Sequence, residues 1–260
     1  MKKKILTMLL AAVLAVSLAA CGSGGKEATE KSANKSAASE DKKQAETKDN
    51  DEAGSQKEDT TKEPEKAAEE TPEVVTGPYE TELEAGDYYV GSHIPEGVYN
   101  VEVVSGLGNM MTKSGIVTSL GSGTGVEYAS TYENAALKNG DVLKLTQSLK
   151  VKISTQEATF STMTGYENTA KEEKEFGPGD YLIGQDITPG YYDISVVSGT
   201  IVNVSLTDGA FTGMFSSDPA MAESAGSSYK NVAFREGATL KVSTGSIKIT
   251  PMANVTPITP

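Results

Sequence analysis

The sequence predicts an all-β protein with two tandem small antiparallel β-sandwich or jelly-roll-like modules after a disordered tether. Three observations predict this class. A stretch of 21 residues recurs along the chain, apolar and polar residues alternate with a period of two, and no sustained helical apolar stripe follows residue 79. The chain has 260 residues, one cysteine and a formal net charge of −13.

The recurring stretch reads GDYYVGSHIPEGVYNVEVVSG at 86–106 and GDYLIGQDITPGYYDISVVSG at 179–199, with a constant offset of 93. Weaker matching continues further on, where 132–146 resembles 229–243. A period of this length exceeds that of solenoid repeats. It indicates two copies of one small domain.

Each copy has the pattern of strands with one buried face. Tyr99, Val101 and Val103 point one way and are separated by polar residues, and Tyr192 and Ile194 keep the same phase in the second copy. Turn-forming Pro, Gly, Asn and Asp residues separate the apolar runs. This alternation is typical of antiparallel sheets packed face to face. We expect about five to seven strands in each copy.

These patterns divide the chain at composition changes. The predicted parts are a signal peptide at 1–20, a lipidated cysteine and disordered acidic tether at 21–78, module 1 at 79–155, a linker at 156–178, module 2 at 179–251 and a C-terminal tail at 252–260. The charged run at 171–175 is interpreted as a solvated part of the linker. A small domain without disulfides is only modestly stable, which favours packing of the two modules against each other.

The N-terminus has the features of an export signal. Lys2–Lys4 form a basic head, and an uncharged run of 16 residues ends in Ala19 and Ala20 just before Cys21. This arrangement resembles the lipobox of bacterial lipoproteins. The resemblance implies that the Cys21 thiol is diacylated, that the preceding peptide is removed, and that the protein is extracytoplasmic and anchored to the cell membrane by lipid.

Two other interpretations of the N-terminus stay open at this stage. The first is a retained transmembrane anchor, although the apolar run is shorter than the roughly 20 residues that span a bilayer. The second is an ordinary signal peptide with a chance cysteine. With no cysteine after Cys21, disulfides and a thiolate site are excluded from the exported part.

Residues 22–78 contain no Phe, Trp, Tyr, Leu, Ile or Met. Such a segment has too little apolar area to offset the entropy of ordering its backbone, so we expect a disordered spacer. The acidic net charge opposes binding to nucleic acid, and attachment to the membrane is expected through lipid rather than through a basic patch.

The motif Gly-x-Tyr-x-Val-Gly-x-x-Ile-Pro-x-Gly-x-Tyr at 86–99 resembles a repeat found in surface lipoproteins and secreted proteins of Gram-positive bacteria. The second copy departs from it, because its proline is shifted to Pro189. The resemblance implies a surface location and a β fold, and it brings no catalytic residue with it.

Residues that could support catalysis or metal binding are few, and we predict no enzyme activity, no cofactor and no metal. The only histidine, His93, is interpreted as an exposed turn residue, and Gln185 replaces it in the second copy. Asp87 and Asp180 recur after a glycine, so turn capping is favoured over acid–base work on a glycan. No Asp-x-Asp-x-Asp calcium loop follows the tether.

Aromatic residues outside the predicted cores are the candidates for ligand binding. Tyr99 and Tyr192 share the apolar face and are assigned to the cores. The long segment at 207–228 is assigned either to binding or to packing over an open sheet end. The predicted ligand-binding residues are Tyr191, Tyr128, Tyr132, Tyr229 and Phe215.

The sequence therefore predicts a membrane-anchored surface lipoprotein. Its non-catalytic β-modules would bind an envelope glycan or protein, or act as a scaffold in the cell envelope. The alternative is a wall-polymer hydrolase that uses carboxylates. The pattern predicts no particular oligomeric state.

Overall fold

The structure, a computed structural model, describes residues 73–122 and 128–260. The predicted signal peptide, Cys21 and nearly all of the predicted tether lie outside these residues. The described part is nearly all β, with sixteen strands and one short helix, which confirms the predicted fold class. No helix in this part of the chain is long and apolar enough to cross a membrane.

Module 1 is a sandwich of two four-stranded antiparallel sheets. The sheet orders are β1-β8-β3-β6 and β2-β7-β4-β5. The strands are β1 (Thr76–Leu83), β2 (Gly86–Tyr89), β3 (Gly97–Ser105), β4 (Leu107–Thr112), β5 (Val117–Gly121), β6 (Thr131–Leu137), β7 (Val142–Leu145) and β8 (Lys150–Thr159).

Module 2 repeats this arrangement strand for strand, with sheets β9-β16-β11-β14 and β10-β15-β12-β13. In both modules the order is that of an eight-stranded jelly roll. The elements are β9 (Lys174–Phe176), β10 (Gly179–Leu182), β11 (Gly190–Ser198), β12 (Val202–Leu206), β13 (Thr212–Phe215), α1 (Pro219–Ala225), β14 (Ser228–Phe234), β15 (Thr239–Val242) and β16 (Ser246–Pro251).

Each module has its own core, to which both of its sheets contribute. The alternation along β3 places Tyr99 and Val101 inside module 1, while Tyr192 and Ile194 of β11 lie inside module 2. Full burial of such side chains contributes about 1.5–3 kcal/mol each to folding. The period-two pattern therefore identifies the buried face of these strands correctly.

The four tyrosines shared by the two repeats have one structural role in common. Each hydroxyl donates a hydrogen bond to the backbone carbonyl four residues earlier, which ties the ring to the preceding turn. The donor and acceptor residues are Tyr88 and Glu84 (2.9 Å), Tyr99 and Pro95 (2.7 Å), Tyr181 and Gly177 (3.1 Å), and Tyr192 and Thr188 (2.8 Å).

A parallel pairing between β2 and β14 joins the two modules. The Lys230 N–H donates to the Ala85 carbonyl at 2.9 Å, and Lys230 lies opposite Gly86. A Cβ on Gly86 would lie 2.7 Å from the Lys230 Cβ, so this close approach needs glycine. The pairing merges one sheet of each module into the eight-stranded sheet β5-β4-β7-β2-β14-β11-β16-β9, and both modules belong to one compact unit.

The segment interpreted as a linker, 156–178, begins within β8 of module 1, and its later part is folded against module 2. Its residues 171–175 are exposed, as expected, but β9 begins among them and pairs with β16. Asn168 is only 2% exposed, and its amide nitrogen donates to the carbonyls of Tyr191 and Met252 at 2.7 and 2.8 Å. Asn168 thereby attaches both the linker and the start of the C-terminal tail to β11.

Candidate functional site at the junction of the modules

A buried carboxylate lies at the centre of the junction. Asp87 of β2 is 4% exposed and accepts a hydrogen bond of 2.6 Å from the hydroxyl of Tyr229 on β14. The Lys144 ammonium of β7 lies 2.9 Å from the same carboxylate and also donates to the Ala210 carbonyl at 3.3 Å. The expectation that Asp87 caps a turn is therefore wrong, because the residue is within a strand and bonds across the junction.

A cavity of about 360 Å³ opens beside this carboxylate. We call it the inter-module cleft, because module 1 supplies one wall and module 2 the other. Its volume is within the range of small-ligand sites. The apolar lining consists of Met111 from module 1 and of Ala210, Phe211, Met214, Phe215, Ala225 and Tyr229 from module 2.

The long segment at 207–228 builds most of the module 2 wall. Phe211 and Phe215 are buried and stack with their ring centroids 6.1 Å apart, whereas Met214 is 43% exposed. The helix α1 follows; its N-cap Asp218 accepts a hydrogen bond from Ala220 N–H at 2.9 Å. The segment therefore packs over module 2 and also lines the cleft, and its assignment to binding stays a prediction.

The polar groups at the base of the cleft are mutually satisfied. Burial, followed by the neighbouring Asp87, raises the pKa of Tyr229 well above its usual range, so the hydroxyl stays protonated and donates. The Lys144 charge is paired with Asp87. The cleft therefore presents apolar walls over an electrically balanced base, which suits an apolar or aromatic group better than a highly charged one.

A second set of contacts crosses the junction away from the cleft. We call it the aromatic cluster, and it consists of Tyr89, His93, Tyr166 and Tyr191. The ring centroids of Tyr89 and Tyr191 are 5.5 Å apart, those of Tyr166 and Tyr191 are 5.0 Å apart, and those of His93 and Tyr166 are 5.8 Å apart. These rings join module 1 to the linker segment and to module 2.

The protonation state of His93 follows from its hydrogen bonds. The Tyr89 N–H donates to Nδ1 at 3.1 Å, so Nδ1 carries no proton and Nε2–H donates to the Tyr166 hydroxyl at 2.8 Å. Burial lowers the pKa of His93 to about 4, and the ring is therefore neutral at neutral pH. His93 is half-buried, so the expectation of an exposed turn residue is wrong.

The structure brings together only two of the five predicted binding residues, Tyr229 and Phe215, which both line the inter-module cleft. Tyr191 belongs to the aromatic cluster, Tyr132 is half-buried on β6, and Tyr128 is 38% exposed after the end of β5. The expectation that Tyr229 is a surface residue is wrong, because β2 of module 1 covers β14 and leaves this side chain 6% exposed.

Met111 and Lys144 also line the cleft, although the sequence does not single them out as candidate site residues. Lys144 nevertheless has a signal in the repeat. It lies opposite Asp87 across β2 and β7, just as Lys241 lies opposite Asp180 across β10 and β15. An acid and a lysine that recur together in both copies predict a cross-strand ion pair.

The predicted acids do not form one catalytic pair. Asp87 and Asp180 belong to different modules, and each is paired with its own lysine. Within residues 73–122 and 128–260, no group of three or more His, Cys, Asp or Glu residues is arranged to hold a metal ion. Comparisons of the chain with models of protein families, with curated proteins and with solved structures find no match.

Proposed function

We propose that the protein is a lipid-anchored lipoprotein of the cell envelope, and that its two modules together bind a ligand without catalysing a reaction. The observation that carries this proposal is the inter-module cleft. Met111 lines it from module 1, and Phe211 and Phe215 line it from module 2, so the cleft exists only when the modules are docked. The pair of modules, rather than either one alone, is the binding unit.

The chemistry of the lining supports one class of ligand. Aromatic and thioether side chains dominate the walls, and the few polar residues come from both modules. Lys144, Thr146 and Gln147 belong to module 1, and Thr212 and Ser224 belong to module 2. Such a site accommodates an apolar side chain of an extended peptide or the apolar face of a sugar ring. The proposed ligand is therefore an envelope glycan or protein that inserts one such group.

Binding is tested with an array of cell-wall glycan fragments and stem peptides, probed with the full chain. Met214→Glu places a charge in the cleft at a side chain that is already 43% exposed, so the fold is expected to tolerate it. Val117→Glu is the matched control, because Val117 is 77% exposed on β5, the counterpart of β13 in module 1. Binding that Met214→Glu abolishes and Val117→Glu preserves supports the proposal. Binding that is absent, or unaffected by Met214→Glu, contradicts it.

The proposed anchor is Cys21, with its basic head, apolar run and small residues before the cysteine. More than one lipid chain gives stable attachment, because each buried methylene contributes about 0.8 kcal/mol. Cys21→Ala is expected to move the protein from the membrane fraction to the soluble fraction of the cells that express it. Unchanged sedimentation with membranes would contradict a lipid anchor at this residue.

The geometry offers less support for the alternative of a wall-polymer hydrolase. The two carboxylates of such an enzyme flank one glycosidic bond, roughly 5–10 Å apart. Asp87 is instead a buried partner of Tyr229 and Lys144, and Asp180 is in the other module with Lys241. Asp87 therefore stabilises the junction between the modules, and Asp180 contributes an ion pair within module 2.

A further inference from the structure

We propose that copies of this chain associate head to tail. The β10 edge of one copy would dock against the β6 edge of the next, in the way that β2 docks against β14 within the chain. The proposal goes beyond ligand binding and does not depend on it, because these edges are remote in the strand order from the walls of the inter-module cleft.

The internal junction is heterologous, since it joins the second strand of module 1 to the sixth strand of module 2. The second strand of module 2 is β10, and the sixth strand of module 1 is β6. Each of these strands ends a four-stranded sheet in the described part of the chain. Because the internal contact uses β2 and β14, their counterparts β10 and β6 are left without a partner strand of this kind within the described residues. A β10 edge and a β6 edge can therefore join successive copies in a heterologous contact.

The β10 edge repeats the residues that β2 uses at the junction. Gly179 and Asp180 take the places of Gly86 and Asp87, at the same offset of 93. Asp180 is held by Lys241 at 2.7 Å, but its side chain is 62% exposed, whereas that of Asp87 is 6% exposed. The carboxylate is thus oriented as at the junction and lacks only the covering strand.

The β6 edge repeats the residues that β14 uses. Tyr132 takes the place of Tyr229, and Asn134 that of Asn231. Both asparagines are in the left-handed region, with φ of 59° and 61°, and each is beside a bulge in its strand. β6 and β14 therefore share the same bulge. Within the described residues the Tyr132 hydroxyl has no hydrogen-bond partner, so it is available to donate to Asp180 of another copy.

One charge differs between β6 and β14, because Glu133 of β6 occupies the position of Lys230 in β14. The Lys230 ammonium does not bond across the junction. It pairs with Asp193 of its own module at 2.9 Å, and only the Lys230 backbone N–H crosses, to the Ala85 carbonyl. The Glu133 N–H can make the same bond to the Pro178 carbonyl of a second copy, so the charge difference does not prevent docking.

Sedimentation velocity of the full chain, in a density-matched detergent at about 0.15 M salt, tests the proposal. At this ionic strength the charges of this acidic chain are screened beyond about 8 Å. Gly179→Val blocks the β10 edge, because a Cβ at the equivalent Gly86 would lie 2.7 Å from the facing Cβ. Glu133→Pro removes the β6 N–H at an exposed bulge position that is not paired within the sheet.

The wild-type chain is expected to form concentration-dependent species larger than a dimer. Each blocked variant is expected to stay monomeric, and an equimolar mixture of the two is expected to form dimers and nothing larger, since one free β10 edge meets one free β6 edge. Tyr132→Phe is expected to weaken association about tenfold, and Tyr128→Phe, the matched control on an exposed tyrosine, is expected to leave it unchanged.

Circular dichroism tests whether each variant is folded. If a blocked variant is unfolded, the comparison of Tyr132→Phe with Tyr128→Phe tests the proposed association instead. A wild-type chain that remains monomeric at its highest soluble concentration overturns the proposal. Dimers formed by either blocked variant alone, or equal effects of the two Tyr→Phe changes, overturn it as well.

Discussion

Replacing Asp87 with alanine tests whether the junction depends on its buried carboxylate. The repeat provides a matched control, because Asp180→Ala removes the same residue of the motif from an exposed edge. Both aspartates pair with a lysine across neighbouring strands. Only Asp87 also accepts a hydrogen bond from the other module. The difference between the two variants therefore measures the contribution of the junction.

The expected magnitudes follow from the contacts. A hydrogen bond to a charged group, such as that from Tyr229 to Asp87 at 2.6 Å, contributes about 1.5–3 kcal/mol. The ion pair with Lys144 adds about 0.2–1 kcal/mol, because the lysine is 36% exposed and can turn to solvent. Asp87→Ala is therefore expected to lower the free energy of unfolding by about 2–4 kcal/mol. Asp180→Ala is expected to lower it by about 0–1 kcal/mol, because both side chains of its pair are about half exposed.

Urea unfolding of the full chain, followed by circular dichroism, measures both values. A double-mutant cycle of Asp87→Ala with Tyr229→Phe isolates the bond between the modules and is expected to give a coupling of about 1–3 kcal/mol. Losses of stability that agree within about 0.5 kcal/mol for Asp87→Ala and Asp180→Ala, or a coupling near zero, would refute the reasoning.

Three further predictions follow from single side chains. Burial holds the pKa of native His93 at about 4, against an ordinary value of 6.5, so between these pH values only the unfolded chain binds the proton. The free energy of unfolding is therefore expected to fall as the pH drops from about 6.5 towards 4. Urea titrations at several pH values measure this slope, and His93→Gln is expected to flatten it. In thermal unfolding, Phe215→Ala is expected to lower the free energy of unfolding by about 3–5 kcal/mol, because Phe215 is only 2% exposed. Met214→Ala is expected to lower it by less than about 1 kcal/mol, because Met214 is 43% exposed. Equal losses of stability would contradict the separate roles of the two cleft residues. Asn168→Ala is expected to lower the free energy of unfolding by about 2–4 kcal/mol. It is also expected to speed hydrogen exchange of the Tyr191 amide, which donates to the Asn168 side chain at 2.9 Å. Unchanged exchange would show that Asn168 does not hold the linker in place.

The strands could be predicted from the sequence because their signal is local. Tyr99 and Val101 alternate with polar residues, and the same phase at Tyr192 and Ile194 shows that both copies fold alike. The repeat also predicts that equivalent residues occupy equivalent places within each module. These properties depend on neighbours along the chain and on the comparison of one copy with the other.

The junction could not be predicted in this way, because it breaks the equivalence of the copies. Tyr229 and Tyr132 occupy the same position of the repeat, yet β2 covers only Tyr229. No local pattern marks Gly86 and Lys230 as partners, since they are far apart in the chain and their strands pair by a single bridge. The cleft was missed for the same reason, because its walls come from different modules.

The same asymmetry links the structural and functional proposals. One pair of edges is joined within the chain and creates the inter-module cleft, and the equivalent pair is unused in the described part. Ligand binding depends on the first pair and head-to-tail association on the second. Both depend on the two modules forming one body through β2 and β14.

The most direct test of that arrangement compares hydrogen exchange of the Lys230 and Glu133 amides in the wild-type chain, at a concentration at which it is monomeric. The Lys230 N–H donates to the Ala85 carbonyl across the junction, whereas Glu133, its counterpart in module 1, is exposed on the β6 edge. The Lys230 amide is expected to be protected and the Glu133 amide to exchange rapidly. Gly86→Val is expected to remove the protection of Lys230, because a Cβ at Gly86 would lie 2.7 Å from the Lys230 Cβ. A Lys230 amide that exchanges as fast as the Glu133 amide in the wild-type chain would contradict the docking of the modules through these strands.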